Sequence, residues 1–252
     1  VTVTDTGVRR RAPHAVVARG LTKVYGQGDA AVHALRGVDV SFATEAFTAI
    51  MGPSGSGKST LMHCLAGLDT VTGGTVHIGD VELTGLGDKQ LTKLRRERIG
   101  FIFQAFNLLP TLTAEQNIRL PLEIAGRQAD QALFEKVIET VGLRDRLKHR
   151  PTELSGGQQQ RVAVARALIS KPQVIFADEP TGNLDSRSGA EVLSFLRASV
   201  RELGQTIVMV THDPLAASYA DRVVFLHDGS LVSELYQPTP QSVLDTLLKL
   251  EG

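Results

Sequence analysis

Apolar residues recur along this chain at two spacings, and the switch between them marks out its elements. Short apolar runs or period-two runs bounded by turn residues fall at 16–19, 21–24, 34–42, 47–51, 75–78, 100–104, 174–177, 206–210 and 222–226, and these are predicted strands. A break is expected at Gly37 within the third of them. Helical spacing covers 61–68, 91–98, 115–125, 130–141, 188–203 and 241–250. Pro121 is expected to break or kink its helix, because proline lacks an N–H and its ring meets the preceding turn. Gly204 is expected to stop the long helix before it. From residue 172 onward strands alternate with helices, which predicts a parallel sheet with helices on both faces. Residues 113–149 change to helical character, so roughly 107–169 reads as a helical subdomain inserted into an α/β core. Residues 1–14 read as a mobile tail. Its Arg9 to Arg11 run is either a solvated patch or a juxtamembrane contact.

Composition narrows the class without setting it. At 252 residues, 42% hydrophobic and 21% charged, the chain is an ordinary globular sequence able to bury a sizeable core. Lys plus Arg equals Asp plus Glu at 27 each, so no global field draws it to nucleic acid or anionic lipid. Its one cysteine, Cys64, excludes an internal disulfide framework and a cysteine-based zinc site. The first residues lack the apolar core of a signal peptide, and no stretch approaches the ~18 apolar residues of a spanning helix. Any dealings with a membrane are therefore expected to run through a partner.

The chemistry concentrates in a few polar clusters at strand ends. Gly52, Gly57, Lys58 and Ser59 stand at the fixed positions of the phosphate-loop pattern Gly-x4-Gly-Lys-Ser/Thr, between a predicted strand and a predicted helix. Glycines let the backbone curl so that successive N–H groups point into one concavity, which the helix N-terminus completes. Ser54, Gly55, Ser56, Gly57, Lys58, Ser59 and Thr60 are the candidate phosphate-binding residues. Lys58 would neutralise phosphate charge, and the Ser59 hydroxyl would hold Mg²⁺. Asp178, after an apolar strand, suits the metal of a magnesium nucleotide, and Glu179 beside it suits a general base. Gln104 and His212 end two other strands. Each can bond a γ-phosphate, its attacking water or the metal shell, or can simply cap its strand. Tyr25 stands as an aromatic in a loop before the phosphate loop, and reads equally as a ring for stacking a purine or as a packed tyrosine. Ser155, Gly156, Gly157 and Gln158 open a helix. Ser155 can cap it, and the glycines can bare N–H groups to a second anion.

Taken together, the phosphate loop, Gln104, the 154–158 segment, Asp178 and Glu179, the Asn183 to Asp185 segment and His212 resemble the ATP-binding cassette (ABC) ATPases, in family order and over about residues 15–232. The segments 106–110, 111–117 and 181–186 look like the ATPases of lipoprotein-releasing and macrolide-exporter-type systems. The resemblance implies a P-loop NTPase core with a mainly parallel sheet, an N-terminal antiparallel β-subdomain and an inserted helical subdomain, all within one nucleotide-binding domain over 15–252. It implies ATP and Mg²⁺ as cofactors, with Tyr25 on the adenine, Ser59, Gln104 and Asp178 at the metal, and Lys58, Gln104, Glu179 and His212 in catalysis. It also implies a head-to-tail dimer with a second copy, ATP lying between the phosphate loop of one copy and the Ser155 to Gln158 segment of the other, and Asp185 contacting the opposite copy. Integral membrane permease subunits are the expected partners, and the cytoplasmic face of the cell membrane the expected place.

Two further readings stand beside that one. A soluble cassette ATPase acting on DNA or ribosomes would need a long coiled coil between Gln104 and Leu154, or a second cassette, and this chain has neither. A scaffold whose ATP-driven dimerisation signals to an envelope complex without transport uses the same residues. Directly after Gln104, Phe106, Leu108, Leu109 and Pro110 form an apolar loop. That loop either fills the core under the helical subdomain or forms part of a groove for a short helix of the membrane partner.

Overall fold

The computed structural model describes residues 13–251, so residues 1–12 of the tail expected over 1–14 lie outside the described residues, and the tail's last residue, His14, already begins a strand. The chain opens on two long antiparallel strands, β1 (His14–Tyr25) and β2 (Val32–Ala43). The two runs predicted at 16–19 and 21–24 are one strand. A β-bulge at Gly20 (φ 54°) absorbs the interruption, and a second shift in register at Gly37 (φ 82°) replaces the expected break in β2. With β4 (Gly73–Ile78) and β5 (Val81–Glu82) these form a four-stranded antiparallel sheet in the order β2-β1-β4-β5.

The second sheet has six strands in the order β10-β9-β3-β8-β7-β6. They are β3 (Phe47–Met51), β6 (Ile99–Phe103), β7 (Val174–Asp178), β8 (Ile207–Val210), β9 (Arg222–His227) and β10 (Ser230–Tyr236). Every pairing in it is parallel except the β9–β10 hairpin. All five residues of β3 are buried, as a central parallel strand requires. Its side chains alternate between two cores. Phe47, Ala49 and Met51 enter one with α3 (Ala114–Ile124), α4 (Gln131–Val141), α5 (Gly156–Leu168) and α6 (Ser186–Leu203). Ile50 enters the other with α1 (Lys58–Leu65), α2 (Asp88–Arg98) and the inner face of the antiparallel sheet. Helices thus lie on both faces as expected, and on one of them the antiparallel sheet shares the cover with α1 and α2. Each fully buried Phe, Leu, Ile or Met in these cores contributes about 1.5–3 kcal/mol of transfer free energy.

Three further differences have local causes. Helix α3 runs through Pro121 without ending: proline removes only its own N–H from the ladder, and its carbonyl still accepts from the Ala125 N–H at 3.2 Å. Strand β10 carried no prediction because it is a half-exposed edge. Yet its turn was written in the sequence, since Asp228 (φ 46°) and Gly229 (φ 75°) are the two positive-φ residues of a tight hairpin pairing His227 with Ser230. Helix α1 begins at Lys58, three residues before the predicted start, and the four-residue α7 (Pro214–Ala217) and terminal α8 (Pro240–Glu251) complete the chain.

Candidate active site

Strand β3 delivers the chain directly into the phosphate loop, and two glycines there are steric necessities. A Cβ on Gly52 (φ 150°) would stand 1.9 Å from the Leu226 carbonyl oxygen, and one on Gly57 (φ 98°) 2.4 Å from that of Ala34. The loop is pressed against β9 and β2 and held there by the Gly229 N–H donating to the Ser56 carbonyl at 3.0 Å. Gly57 is the N-cap of α1 and offers no side-chain cap, so the N–H groups of the first turn keep no side-chain acceptor. A cleft of about 380 Å³ lies here, lined among others by Gly55, Gly57, Lys58, Ser59 and Thr60, with His33, Arg36 and Asp228 opposite. Lys58 folds back on the loop, donating from Nζ to the carbonyls of Gly52 (2.9 Å) and Pro53 (2.8 Å). Burial lowers its pKa, opposed by the nearby charges of Glu179 and Asp178.

Those carboxylates come from the end of β7. Burial raises the pKa of Asp178; the charges of His63 and Lys58 oppose the rise and that of Glu179 adds to it. Its Oδ1 is buried with no hydrogen-bond partner among the described residues. Glu179 adopts a left-handed backbone (φ 45°), and its N–H donates to the Val210 carbonyl at 2.9 Å, which ties the turn to the end of β8. Since Asp178 and Val210 are in register, the residue two beyond Val210 meets Glu179: His212 Nδ1 is 2.8 Å from Glu179 Oε1. His212 is exposed, while the Glu179 side chain is only 20% exposed. A bare divalent cation would find few protein ligands here, because no cluster of three or more His, Cys, Asp or Glu side chains is placed to hold one among the described residues. The orphaned Asp178 oxygen and the Ser59 hydroxyl fit Mg²⁺, which takes one or two protein ligands and the rest from phosphates and water.

Gln104 follows β6, one position beyond the Phe103–Asp178 register pair. Its amide is engaged by Asn183: Nε2 donates to Asn183 Oδ1 at 3.0 Å, and Asn183 Nδ2 donates to the Gln104 carbonyl at 3.0 Å. Tyr25 is the last residue of β1 rather than a loop residue, and is 41% exposed. The 154–158 segment lies elsewhere. Ser155 caps α5 through a reciprocal pair, Gln158 N–H to Ser155 Oγ (3.3 Å) and Ser155 N–H to Gln158 Oε1 (2.9 Å). Gly157 is buried, and its missing Cβ makes room for Ser188 on α6, a packing reason the sequence reading had not supplied. Ser155, Gly156, Gly157 and Gln158 are absent from the lining of the phosphate-loop cleft. Asp185, exposed, caps α6 by accepting from the Ser188 N–H at 3.0 Å.

The apolar loop after Gln104 divides its residues. Phe106 (φ 60°) and Asn107 (φ 50°) are both left-handed, and Arg166 of α5 holds their carbonyls with two hydrogen bonds. Leu108 packs on the main core, whereas Leu109 is 46% exposed. The groove beside them, about 390 Å³, is lined instead by Phe101, Phe103, Asn107, Leu120, Pro121 and Ile124, among others. Sequence reasoning missed it because its apolar walls come mainly from β6 and α3, and the loop adds only Asn107.

With that geometry in hand, comparison with known proteins gives one family. Residues 35–182 match the family model described as ABC transporter. The bacitracin export ATP-binding protein BceA of Halalkalibacterium halodurans is 42% identical over 239 residues, covering 93% of this chain and 94% of that protein. The macrolide export ATP-binding/permease protein MacB of Marinobacter nauticus is 45% identical over 224 residues, covering 88% of this chain and 35% of that protein, so the chain spans about a third of that relative's length. Among solved structures, the ATP-binding cassette MJ0796 of Methanocaldococcus jannaschii, as a dimer in a post-hydrolysis state bound to ADP and Pi, aligns with a TM-score of 0.78 at 40% identity, covering 89% of this chain and 99% of that one. The chain belongs to the ABC transporter family, and it is an ATP-binding ATPase cassette of that family. Its similarity to the macrolide-export and bacitracin-export ATPases agrees with the resemblance read from its motifs.

Proposed function

We propose that this chain is the ATP-hydrolysing subunit that drives a membrane-embedded partner of the export or lipid-extraction type from the cytoplasmic face of the cell membrane. Two copies pair head to tail, each ATP lying between the phosphate loop of one and Ser155 to Gln158 of the other. The phosphate loop from Ser54 to Thr60 wraps the phosphates. Lys58 leaves its loop carbonyls to meet them, and the Tyr25 ring stacks on the adenine. Glu179 takes the proton of the attacking water, and His212, bonded to its carboxylate, orients it and holds the γ-phosphate. Ser59 and Asp178, with Gln104 once its amide leaves Asn183, would hold Mg²⁺, which when bound neutralises charge on the transferring phosphoryl group. Asp185, at the exposed start of α6, faces the second copy.

The observation that carries the reading is the split between the motifs. Lys58 of the phosphate loop lies within reach of the Glu179 and Asp178 charges, and Glu179 bonds His212, so these four are linked within one copy. The second anion-binding helix start has its cap bonds within its own segment and lines no part of the phosphate-loop cleft. A second copy supplies the missing half. The test is a mixture of Lys58→Ala and Ser155→Arg chains, each unable to dimerise with ATP alone. Hybrid dimers carry one intact composite site, so ATP-dependent dimerisation returns in the mixture. If it does not return while wild type dimerises, the shared site is wrong.

The membrane partner docks, on this reading, in the groove between β6 and α3. Ile124 stands 65% exposed on its rim, where a packed helix of the partner would cover it. Ile124→Asp should leave folding and basal hydrolysis intact and abolish co-purification with the membrane subunit. Leu108→Asp would be a poorer probe, because Leu108 packs on the core.

A further inference from the structure

A buried lysine outside the catalytic cleft calls for an explanation. Lys23 is only 6% exposed, and lysine is seldom buried unless paired. All its protons are used within one short segment: Nζ donates to Asp69 Oδ1 (2.7 Å), to the Thr70 carbonyl, and at 3.4 Å to Thr70 Oγ1. Asp69 in turn receives the Tyr25 hydroxyl on Oδ2 (2.6 Å) and the Thr70 N–H on Oδ1 (2.7 Å). Lys23 and Tyr25 are two apart on β1 and so share a face of the strand, which brings Nζ to 4.7 Å from the Tyr25 ring centroid.

From this arrangement we propose that Lys23 and Asp69 are positioning residues that hold the Tyr25 ring in register with the phosphate loop, so that base and phosphates are bound together. Asp69 fixes the ring at its tip, and the Lys23 cation occupies one face, leaving the other for the purine. A cation on the far face draws electron density from the ring, which favours stacking against an electron-rich base. Asp69 is tied to the phosphate loop through α1, since the N–H groups of Leu68 and Asp69 both reach the His63 carbonyl (2.9 and 3.3 Å) and α1 starts at Lys58. Helix α1 thus sets the distance between the phosphate site and the ring. The inference rests on the reading of Tyr25 as the adenine's stacking partner, proposed above.

The experiment compares binding of Mg·ATP and of Mg·tripolyphosphate, which has phosphates and no base, by calorimetry on the full chain carrying Asp69→Asn, Lys23→Met or Tyr25→Phe. Each variant should weaken ATP about tenfold, raise the KM for ATP with kcat unchanged, and leave tripolyphosphate binding as in wild type. Should Lys23→Met fail to fold, the other two carry the same test. A fall in both ligands together would mean a merely structural role and overturn the proposal. Two controls separate the proposal from the reading beneath it. Tyr25→Ala should lose ATP affinity as well. The chain has no tryptophan, so Tyr25→Trp provides a lone indole whose emission ATP, but not tripolyphosphate, should quench. If both controls respond and Asp69→Asn, Lys23→Met and Tyr25→Phe do not, the positioning role is wrong and the stacking stands. If neither control responds, the stacking itself is wrong and the proposal goes with it.

Discussion

Two helices of this chain start with a glycine-rich, serine-containing segment, and they meet their first turns in opposite ways. At α1 the cap is Gly57, forced into a left-handed conformation and carrying no side chain, so Lys58, Ser59 and Thr60 keep N–H groups that no cap accepts. At α5 the cap is Ser155, and its exchange with Gln158 satisfies two donors before any ligand arrives. The first start is packed from behind by the carbonyls of Leu226 and Ala34 and has a lysine and two carboxylates around it. The second is finished as a helix and lies outside the cleft. Identical helix physics therefore yields a site that is incomplete without an anion and a surface that folds without one. On the proposed function, the difference lets one chain hold its nucleotide by the first start and leaves the second for the nucleotide of another copy.

The largest effect expected falls on chemistry that only the first region contains. Glu179→Gln keeps the hydrogen-bonding shape of the side chain but removes the base, and should slow hydrolysis by about 10²-fold or more while leaving ATP binding intact. A dimer should then accumulate with Mg·ATP in size-exclusion chromatography. Rapid turnover by that variant would remove Glu179 from the general-base role.

Glycine substitutions come next, because they set the two starts directly against each other. Gly52→Ala places a methyl 1.9 Å from the Leu226 oxygen, so it should destabilise the chain by about 2 kcal/mol or more and abolish nucleotide binding. Gly156→Ala meets only the Leu184 and Phe106 side chains, at 3.5 and 3.7 Å, both ordinary contacts, and alanine suits a helix better than glycine. It should leave thermal stability and monomer binding unchanged and weaken only ATP-driven dimerisation. Equal losses of binding in the two variants would erase the distinction between the regions.

How far the sequence disclosed this arrangement depends on the reach of each signal. The phosphate loop was legible because its glycines, lysine and serine stand at fixed spacing within nine residues, although the carbonyls that exclude a side chain at Gly52 and Gly57 come from Leu226 and Ala34. Asp178 and Glu179 were legible because an apolar run ends on them. Register did the rest, and register is not local: the Glu179–His212 pair follows from β7 lying beside β8. The Gln104–Asn183 exchange joins residues 79 apart, and nothing in the spacing of either announces the other. The Lys23–Asp69 pair spans 46 residues and forms only because the fold lays β1 beside the segment after α1. Gly157 was read as baring its N–H to an anion, and the fold adds a second reason for glycine, since a Cβ there would stand 2.9 Å from Ser188 Cβ.

Asp178→Asn tests what the first region gives up for its function. Burial lifts the Asp178 carboxyl above its ordinary range, so its charge at neutral pH opposes folding, and that cost is relieved only as pH falls through its raised folded pKa. Removing the charge should stabilise the nucleotide-free chain by about 1 kcal/mol, or roughly 2–4 °C in thermal midpoint. The same variant should lose Mg²⁺-dependent hydrolysis. A lower midpoint would mean that the pairing of Asp178 with Lys58 and His63 outweighs its burial.

The smallest effect separates the two jobs given to Ser155. As the N-cap of α5 it should contribute about 1 kcal/mol, the usual cost of replacing a capping serine with alanine. Ser155→Ala should therefore lower the thermal midpoint of the isolated chain slightly, with or without a second copy. Aspartate caps a helix as well as serine does, and its charge favours the helix N-terminus. Ser155→Asp should leave the midpoint at the wild-type value. Placed against the phosphates of a nucleotide held by the other copy, however, that same charge is repulsive, so ATP-dependent dimerisation should disappear. Stability measured by thermal unfolding and dimerisation measured by size-exclusion chromatography then move independently in the two variants. Were Ser155→Asp to dimerise with ATP as readily as wild type, Ser155 would be a cap and nothing more, and the second helix start would lose its part in the site.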